Sequence, residues 1–146
     1  MNRVEIAFEG KTQPWRKRAE SFITKILDRL GKRNWNLSVL FCGSPTIRSL
    51  NARYRRRDES TDVLSFSLGE SCGSRFFPGD IVISLETLKE NAEYFAVPQD
   101  EELRRLLIHG ILHLEGMDHA GNEPGEPMLV LQERLLEEFS VLHIME

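Results

Sequence analysis

Three of the four histidines in this 146-residue chain, His109, His113 and His119, fall in one short segment, H-G-I-L-H-L-E-G-M-D-H. Imidazole is a common metal ligand, and three that converge leave one coordination position open for water or substrate. On a helix His109 and His113 are i and i+4, so their rings leave the same face about one turn apart. Gly116 lies three residues after His113, where a residue without Cβ can adopt a left-handed conformation, end the helix and reverse the chain. That reversal brings His119 back as third ligand, which predicts a metal site at the end of a helix and its following turn. Structural zinc sites are mostly closed by four ligands rich in cysteine, so a three-histidine set favours catalysis over scaffolding. A dication held by neutral imidazoles keeps its charge and can activate water or polarise a phosphoryl or carbonyl oxygen, so hydrolysis is the expected reaction class. A lone histidine on an apolar helix face is ordinarily a satisfied core or surface residue. His143, beside Ile144 near the C-terminus, lacks the context of the other three and is assigned no role.

The elements that must position this segment are legible in outline. Val4, Ile6 and Phe8 alternate with polar residues and predict a half-exposed first strand. From Trp15 to Leu30 the apolar residues Ala19, Phe22, Ile23, Ile26, Leu27 and Leu30 recur at helical spacing and stop at Gly31. Leu37 to Cys42 reads as a second strand, and Ser44-Pro45 as an N-cap and first-turn proline opening a short helix that delivers Arg55 near its end. Val63 to Phe66 and Ile81 to Ile83 are two more strands, separated by a loop rich in Gly, Ser and Pro that carries Cys72. Ser84 caps a helix to about Phe95; Pro98 with Asp100, Glu101 and Glu102 opens the helix that carries His109 and His113. After a breaker-rich loop from Gly121 to Pro127, Met128, Leu129, Leu131, Leu135, Leu136 and Phe139 mark a last helix. Strands interspersed with helices predict one α/β domain over residues 1–146, with about four strands in a mixed, partly parallel sheet and about five helices. Strand order is not legible at this stage.

Composition narrows the classes. A chain of 146 residues fits one domain and can bury about two-thirds of its unfolded surface without disulfides. Cys42 and Cys72 form no C-x-x-C pair and read as free thiols in a reducing compartment, hence a cytoplasmic protein. Met1 to Glu20 has no apolar signal region, and no run of about eighteen apolar residues occurs, so neither secretion nor a membrane span is expected. A net charge of −4 argues against coating nucleic acid by bulk attraction. It conceals segregation: Arg53, Arg55, Arg56 and Arg57 cluster, as do Arg16, Lys17 and Arg18, while acids crowd Asp100 to Glu102 and Glu133 to Glu146. Such runs are usually solvated faces.

The spacing H-x-x-x-H-x-x-G-x-x-H is similar to that of the metzincin peptidases. Those enzymes carry a glutamate general base directly after the first histidine, where this chain has Gly110, which cannot accept a proton. Glu115 and Asp118 are nearby carboxylates; Asp118, next to a ligand, is read as orienting an imidazole or capping the turn. A metallopeptidase without its usual base is therefore the lesser alternative.

The whole pattern also resembles the YbeY-type single-strand-specific endoribonucleases of bacteria. The resemblance rests on four motifs in order: L-N-A-R-Y-R at Leu50 to Arg55, T-D-V-L-S-F at Thr61 to Phe66, G-D-I-V-I-S at Gly79 to Ser84, and the histidine block. Ser67, where proline is expected, and Phe77-Pro78, where leucine is more usual before Gly-Asp, depart from it. Neither touches the expected ligands; they bear on the strand ends and on the Cys72 loop, a candidate border of an RNA groove.

The resemblance implies a three-histidine site for one Zn²⁺, or another divalent metal, on His109, His113 and His119. It implies catalytic roles for His113 and for Arg55, the arginine after the aromatic residue. It also implies single-stranded RNA as substrate and a part in ribosomal RNA maturation, notably near the 3′ end of the small-subunit RNA, and in ribosome quality control. The implied partners are ribosomal RNA and the ribosome or its small subunit, with neither DNA nor membrane among them. A guanidinium fork at Arg55 can grip phosphate oxygens and offset charge that builds in the transition state. Arg53, Arg56 and Arg57 are read as general electrostatics, and Asp62 and Asp80 as turn or strand-end residues. Tyr54 is a candidate stacking surface for an unpaired base, although its spacing suits a core residue. A non-catalytic metal-binding assembly factor is the remaining alternative.

Overall fold

A computed structural model describes residues 1–145; Glu146, the last of the C-terminal acids, lies outside the described residues. The elements are β1 (Arg3–Phe8), α1 (Arg16–Arg29), β2 (Asn36–Cys42), α2 (Ser44–Arg55), β3 (Val63–Cys72) and β4 (Arg75–Ser84). They are followed by α3 (Leu85–Tyr94), α4 (Gln99–Leu114) and α5 (Pro127–Glu138). The strands form one sheet in the order β1-β2-β4-β3, with β1, β2 and β4 parallel and β3 antiparallel to β4. The expected mixed α/β architecture is the one adopted. No helix is long and apolar enough to cross a membrane among the described residues.

Alternation along the strands divides the core. Leu37, Val39 and Phe41 of β2 and Ile81 and Ile83 of β4 are buried against α1, α4 and α5, in the larger cluster. The intervening positions face the other way, where Val82 and Leu64 pack with Cys42 and with Ile47 of α2. α4 touches α1, α3, α5, β3 and β4; most of its surface is buried, and Arg105, His109 and His113 form a partly exposed stripe along it. Leu103, Leu107, Ile108, Ile111 and Leu112 are fully buried, each contributing about 1.5–3 kcal/mol by transfer from water. The histidine-bearing helix is thus firmly anchored along its buried face.

Gly110 explains how closely α4 approaches the sheet. A Cβ there would stand 2.9 Å from both Cδ1 and Cγ2 of Ile81. Ser65 Oγ of β3 also donates to the Gly110 carbonyl at 3.3 Å.

Two local expectations are corrected. Ser44 is the first residue of α2, not its N-cap; Gly43 takes that position. The α2 amides of Gly43 and Ser44 instead meet the carboxylates of Glu9 and Glu86, both at 3.1 Å, which satisfies orphan donors with negative charge at the positive helix end. The segment around Cys72 is not a loop but a hairpin, turning at Gly73, with φ +60, and Ser74 between paired Cys72 and Arg75. The register shifts between Ser67 and Glu70, so β3 carries one extra residue, beside Gly69 at φ +69. Arg75 fastens the hairpin by donating to Asn36 Oδ1, the Met1 carbonyl and the Trp35 carbonyl at 2.6, 2.6 and 3.0 Å. Pro78 lies just before Asp80, where pairing with β2 begins, so its missing N–H interrupts no bond to that strand.

Candidate metal centre

α4 ends as the glycine predicts. Gly116 has φ +109; its amide donates to the His113 carbonyl and that of Met117 to the Leu112 carbonyl, both at 3.0 Å. These paired bonds form the Schellman closure, which reverses the chain and returns His119 to the helix face carrying His109 and His113.

The three rings converge. His109 and His113 lie 4.6 Å apart by ring centroid, and His119 stands 5.2 and 5.3 Å from them. One ring nitrogen from each falls within 4.8 Å of the others. Every Nδ1 is committed to an oxygen acceptor: His109 to Gln132 Oε1 at 2.6 Å, His113 to the Met117 carbonyl at 3.1 Å, and His119 to the Gly121 carbonyl at 2.7 Å. A carbonyl oxygen can only accept, so each Nδ1 carries a proton, and in the neutral form of each ring the lone pair is at Nε2. The Nε2 atoms of His109 and His113 are 3.1 Å apart. Two lone pairs at that distance repel unless they share a cation or proton. Tetrahedral Zn–N bonds of about 2.0–2.1 Å would separate ligand nitrogens by about 3.4 Å. The donor set, its tautomers and its spacing therefore fit a divalent metal.

The protonation energetics agree. His109 and His113 are both pushed below the ordinary histidine range, first by burial, then by their companion imidazoles, with the Gln132 bond opposing the shift at His109. Neutral imidazole is the ligand form.

A cleft of about 740 Å³ opens over the trio and is also lined by Arg55, Asp62, Ser65 and Ser67. Arg55 is the last residue of α2 and is followed by Arg56 in the left-handed conformation at φ 58, which ends the helix there. No carboxylate pairs with the Arg55 guanidinium among the described residues, whereas Arg48 is engaged by Asp58 at 2.8 Å. β3 lines the cleft only as far as Ser67, so the Cys72 hairpin does not border it.

The remaining sequence candidates separate. Glu115 pairs with Lys32 at 3.4 Å. Asp118 accepts from the His119 amide at 2.8 Å and lies 3.9 Å from His113 Nδ1, as a turn residue would. Asp62 accepts from Asn91 Nδ2 at 3.0 Å, and its carbonyl receives the Ser84 amide, so it anchors the start of β3. Asp80 sits inside β4, opposite Ser38 and Phe66, rather than at a strand end. Tyr54 is 59% exposed, edge-on to Phe66 with Arg53 over its ring, so it is a surface aromatic and not core. His143, given no role above, donates to Asp100 at 3.1 Å. Asp100 is buried and also receives the Ile144 and Met145 amides and Arg104, tying the C-terminal segment to the first turn of α4. Sequence reasoning missed Gln132. Its signal was a polar residue in the buried α5 stripe of Met128, Leu135 and Leu136.

An α/β sheet presenting three convergent imidazoles and an unpaired arginine in one open cleft defines a candidate metal-dependent hydrolase. The family model described as endoribonuclease YbeY matches residues 4–140. An endoribonuclease YbeY of Treponema denticola is 49% identical, over 98% of this chain and 97% of that protein. One from Borrelia turicatae is 42% identical, over 81% and 82%. The solution structure of TM1509 from Thermotoga maritima superposes with a TM-score of 0.61 at 28% identity, covering 94% of this chain and 90% of that one. The chain belongs to the endoribonuclease YbeY family.

Proposed function

We propose that the chain is a metal-dependent endoribonuclease of single-stranded RNA, one domain over residues 1–146, acting in the cytoplasm in small-subunit ribosomal RNA maturation and ribosome quality control. Ribosomal RNA and the small subunit are its partners. The observation that carries this reading is the convergence of three Nε2 lone pairs in a cleft shared with Arg55. His109, His113 and His119 would hold one Zn²⁺, or another divalent metal, which supplies Lewis acidity toward a phosphate oxygen and lowers the pKa of water.

The chain's own residues do the rest. Arg55 binds a non-bridging phosphate oxygen and offsets the charge that accumulates as the phosphorus centre becomes pentacovalent. Its freedom from a carboxylate partner leaves both guanidinium edges available to substrate. Ser65 and Ser67 line the groove with small polar side chains, and Tyr54, near Arg55 on α2, offers a ring face on which an unpaired base can stack. The family name and the resemblance carried by the four motifs support RNA as the substrate class. A peptidase reading finds no base: Gly110 stands where that glutamate would be, and a Cβ there meets Ile81.

The test is digestion of single-stranded RNA by metal-replete wild type, His113→Ala and Arg55→Ala proteins purified in parallel. Cleavage by wild type alone, abolished by chelation, supports the assignment. Equal cleavage by all three would identify a contaminating nuclease and defeat it. Cleaved casein with intact RNA would make the chain a peptidase. Ribosome association that survives His113→Ala, with no metal-dependent cleavage by wild type, would make it an assembly factor. Product ends separate hydrolysis from attack by the RNA 2′-hydroxyl.

A further inference from the structure

One polar side chain reaches the histidines from outside their segment. Gln132 lies on the buried face of α5 and is 7% exposed. Its Oε1 is 2.6 Å from His109 Nδ1, and its Nε2 donates to Glu133 Oε2 at 3.1 Å. Glu133 is gripped in turn by Arg105, whose Nε donates to Oε2 at 3.0 Å and whose terminal nitrogen donates to Oε1 at 3.2 Å. Arg105 is braced along its own helix by Glu101 at 3.1 Å and Glu102 at 2.9 Å.

Each link admits one direction of donation. A guanidinium only donates and an ionised carboxylate only accepts, so the amide must turn its NH₂ toward Glu133. Its oxygen then faces His109. An amide oxygen only accepts, so His109 must carry its proton on Nδ1 and keep the Nε2 lone pair. A flipped amide would present NH₂ to the ring and select the other tautomer, with Nε2 protonated and unable to bind a cation. His113 and His119 do not face this ambiguity, because their Nδ1 acceptors are backbone carbonyls that cannot exchange donor for acceptor.

We propose that Gln132 is a positioning residue of the metal centre: held in one amide orientation by the Arg105–Glu133 ion pair, it fixes His109 as the Nδ1–H tautomer and thereby presents Nε2 to the metal. The metal part of this inference rests on the reading of the three imidazoles as ligands. The tautomer part stands on the metal-free protein.

The experiment compares full-length wild type, Gln132→Met, which keeps volume and removes the acceptor, and Glu133→Gln, which keeps Gln132 and removes its orienting carboxylate. Long-range ¹H–¹⁵N spectra of the metal-free proteins at pH 8 report the tautomer of each histidine. Wild type should show His109 protonated on Nδ1, and both variants should show Nε2–H character at His109 with His113 and His119 unchanged. Zn²⁺ affinity, by competition with a chromophoric chelator, should fall about 10- to 100-fold in Gln132→Met, the usual effect of losing a partner that orients a ligand. It should fall less in Glu133→Gln. Gln132→Glu, which restores an acceptor, should recover the Nδ1–H tautomer. If Gln132→Met does not fold, Glu133→Gln alone decides the question, because it leaves Gln132 in place. An Nδ1–H tautomer that persists in both variants, or unchanged affinity in a folded Gln132→Met, would overturn the proposal. Wild type that shows the expected tautomers yet takes up no Zn²⁺ would overturn the ligand reading and leave the tautomer lock standing.

Discussion

Replacing Gly110 by alanine tests whether the close approach of α4 to β4 sets the geometry of the site. In a helix interior the change alone stabilises by about 1 kcal/mol. Here the new Cβ would stand 2.9–3.0 Å from three side-chain carbons of Ile81, about 0.5–1 Å inside the optimal carbon–carbon separation. Ile81 is fully buried, β-branched and on a strand paired on both sides, so it has little room to give. Overpacking of this kind costs about 1–3 kcal/mol, for a net destabilisation of about 1 kcal/mol. The sharper quantity is the coupling with Ile81→Ala. That substitution creates a cavity in the wild type but relieves the clash in Gly110→Ala, so the double variant should be about 1–2 kcal/mol more stable than the sum of the singles predicts. Urea unfolding of the four metal-free proteins measures the cycle. His109 neighbours the substituted residue, so Zn²⁺ affinity should fall in Gly110→Ala and recover in the double variant. Additivity within about 0.5 kcal/mol, or a net gain in stability from Gly110→Ala, would refute the steric argument. Gly110→Glu should yield no peptidase for the same reason.

Arg55→Ala should lower kcat on single-stranded RNA about 100- to 1000-fold while metal content, measured by atomic emission, stays at one ion per chain; an unchanged kcat would remove Arg55 from the reaction. His109 and His113 have folded-state pKa values below the unfolded 6.5, so the unfolded chain binds more protons, and their contribution to stability, full above about pH 6.5, is lost as pH falls through the folded values. Urea midpoints between pH 7.5 and 5 should therefore fall faster for metal-free wild type than for His109→Gln/His113→Gln, and parallel curves would contradict this. Burial alone would raise the Asp100 pKa, but the Met145 and Ile144 amides, Arg104 and His143 together hold it below the ordinary aspartate range. Asp100→Ala should cost about 3–5 kcal/mol at pH 7 by stranding buried Arg104, and a loss under about 1 kcal/mol in the unfolding free energy would show that the C-terminal tether contributes little.

The histidine site was legible because helical periodicity and a glycine stop are local. The i and i+4 spacing and Gly116 fix directions before any tertiary contact forms. Element type followed from apolar spacing in α1 and α5, and in α4 from Pro98 and the acids Asp100, Glu101 and Glu102 that open it. The Cys72 hairpin was not legible, since its first arm, Gly69 to Cys72, is small and polar, its second opens on two adjacent aromatics and a proline, and the pair is held by Arg75, whose acceptors lie on distant residues of the chain's start and β2. Gly110 read as a missing base; only the structure gives it the role of admitting Ile81. Gln132 and Asp100 escaped because a buried polar residue declares its purpose through its partner, and those partners lie 23 and 43–45 positions away.

Anomalous diffraction at the zinc edge, from crystals of the chain grown with Zn²⁺, reads directly whether the three imidazoles hold a metal. One peak is expected about 2.0–2.1 Å from the Nε2 atoms of His109, His113 and His119, with a fourth position open to the cleft that Arg55 lines. Rings turned apart with no peak among them, or a peak on the Nδ1 side, would contradict it.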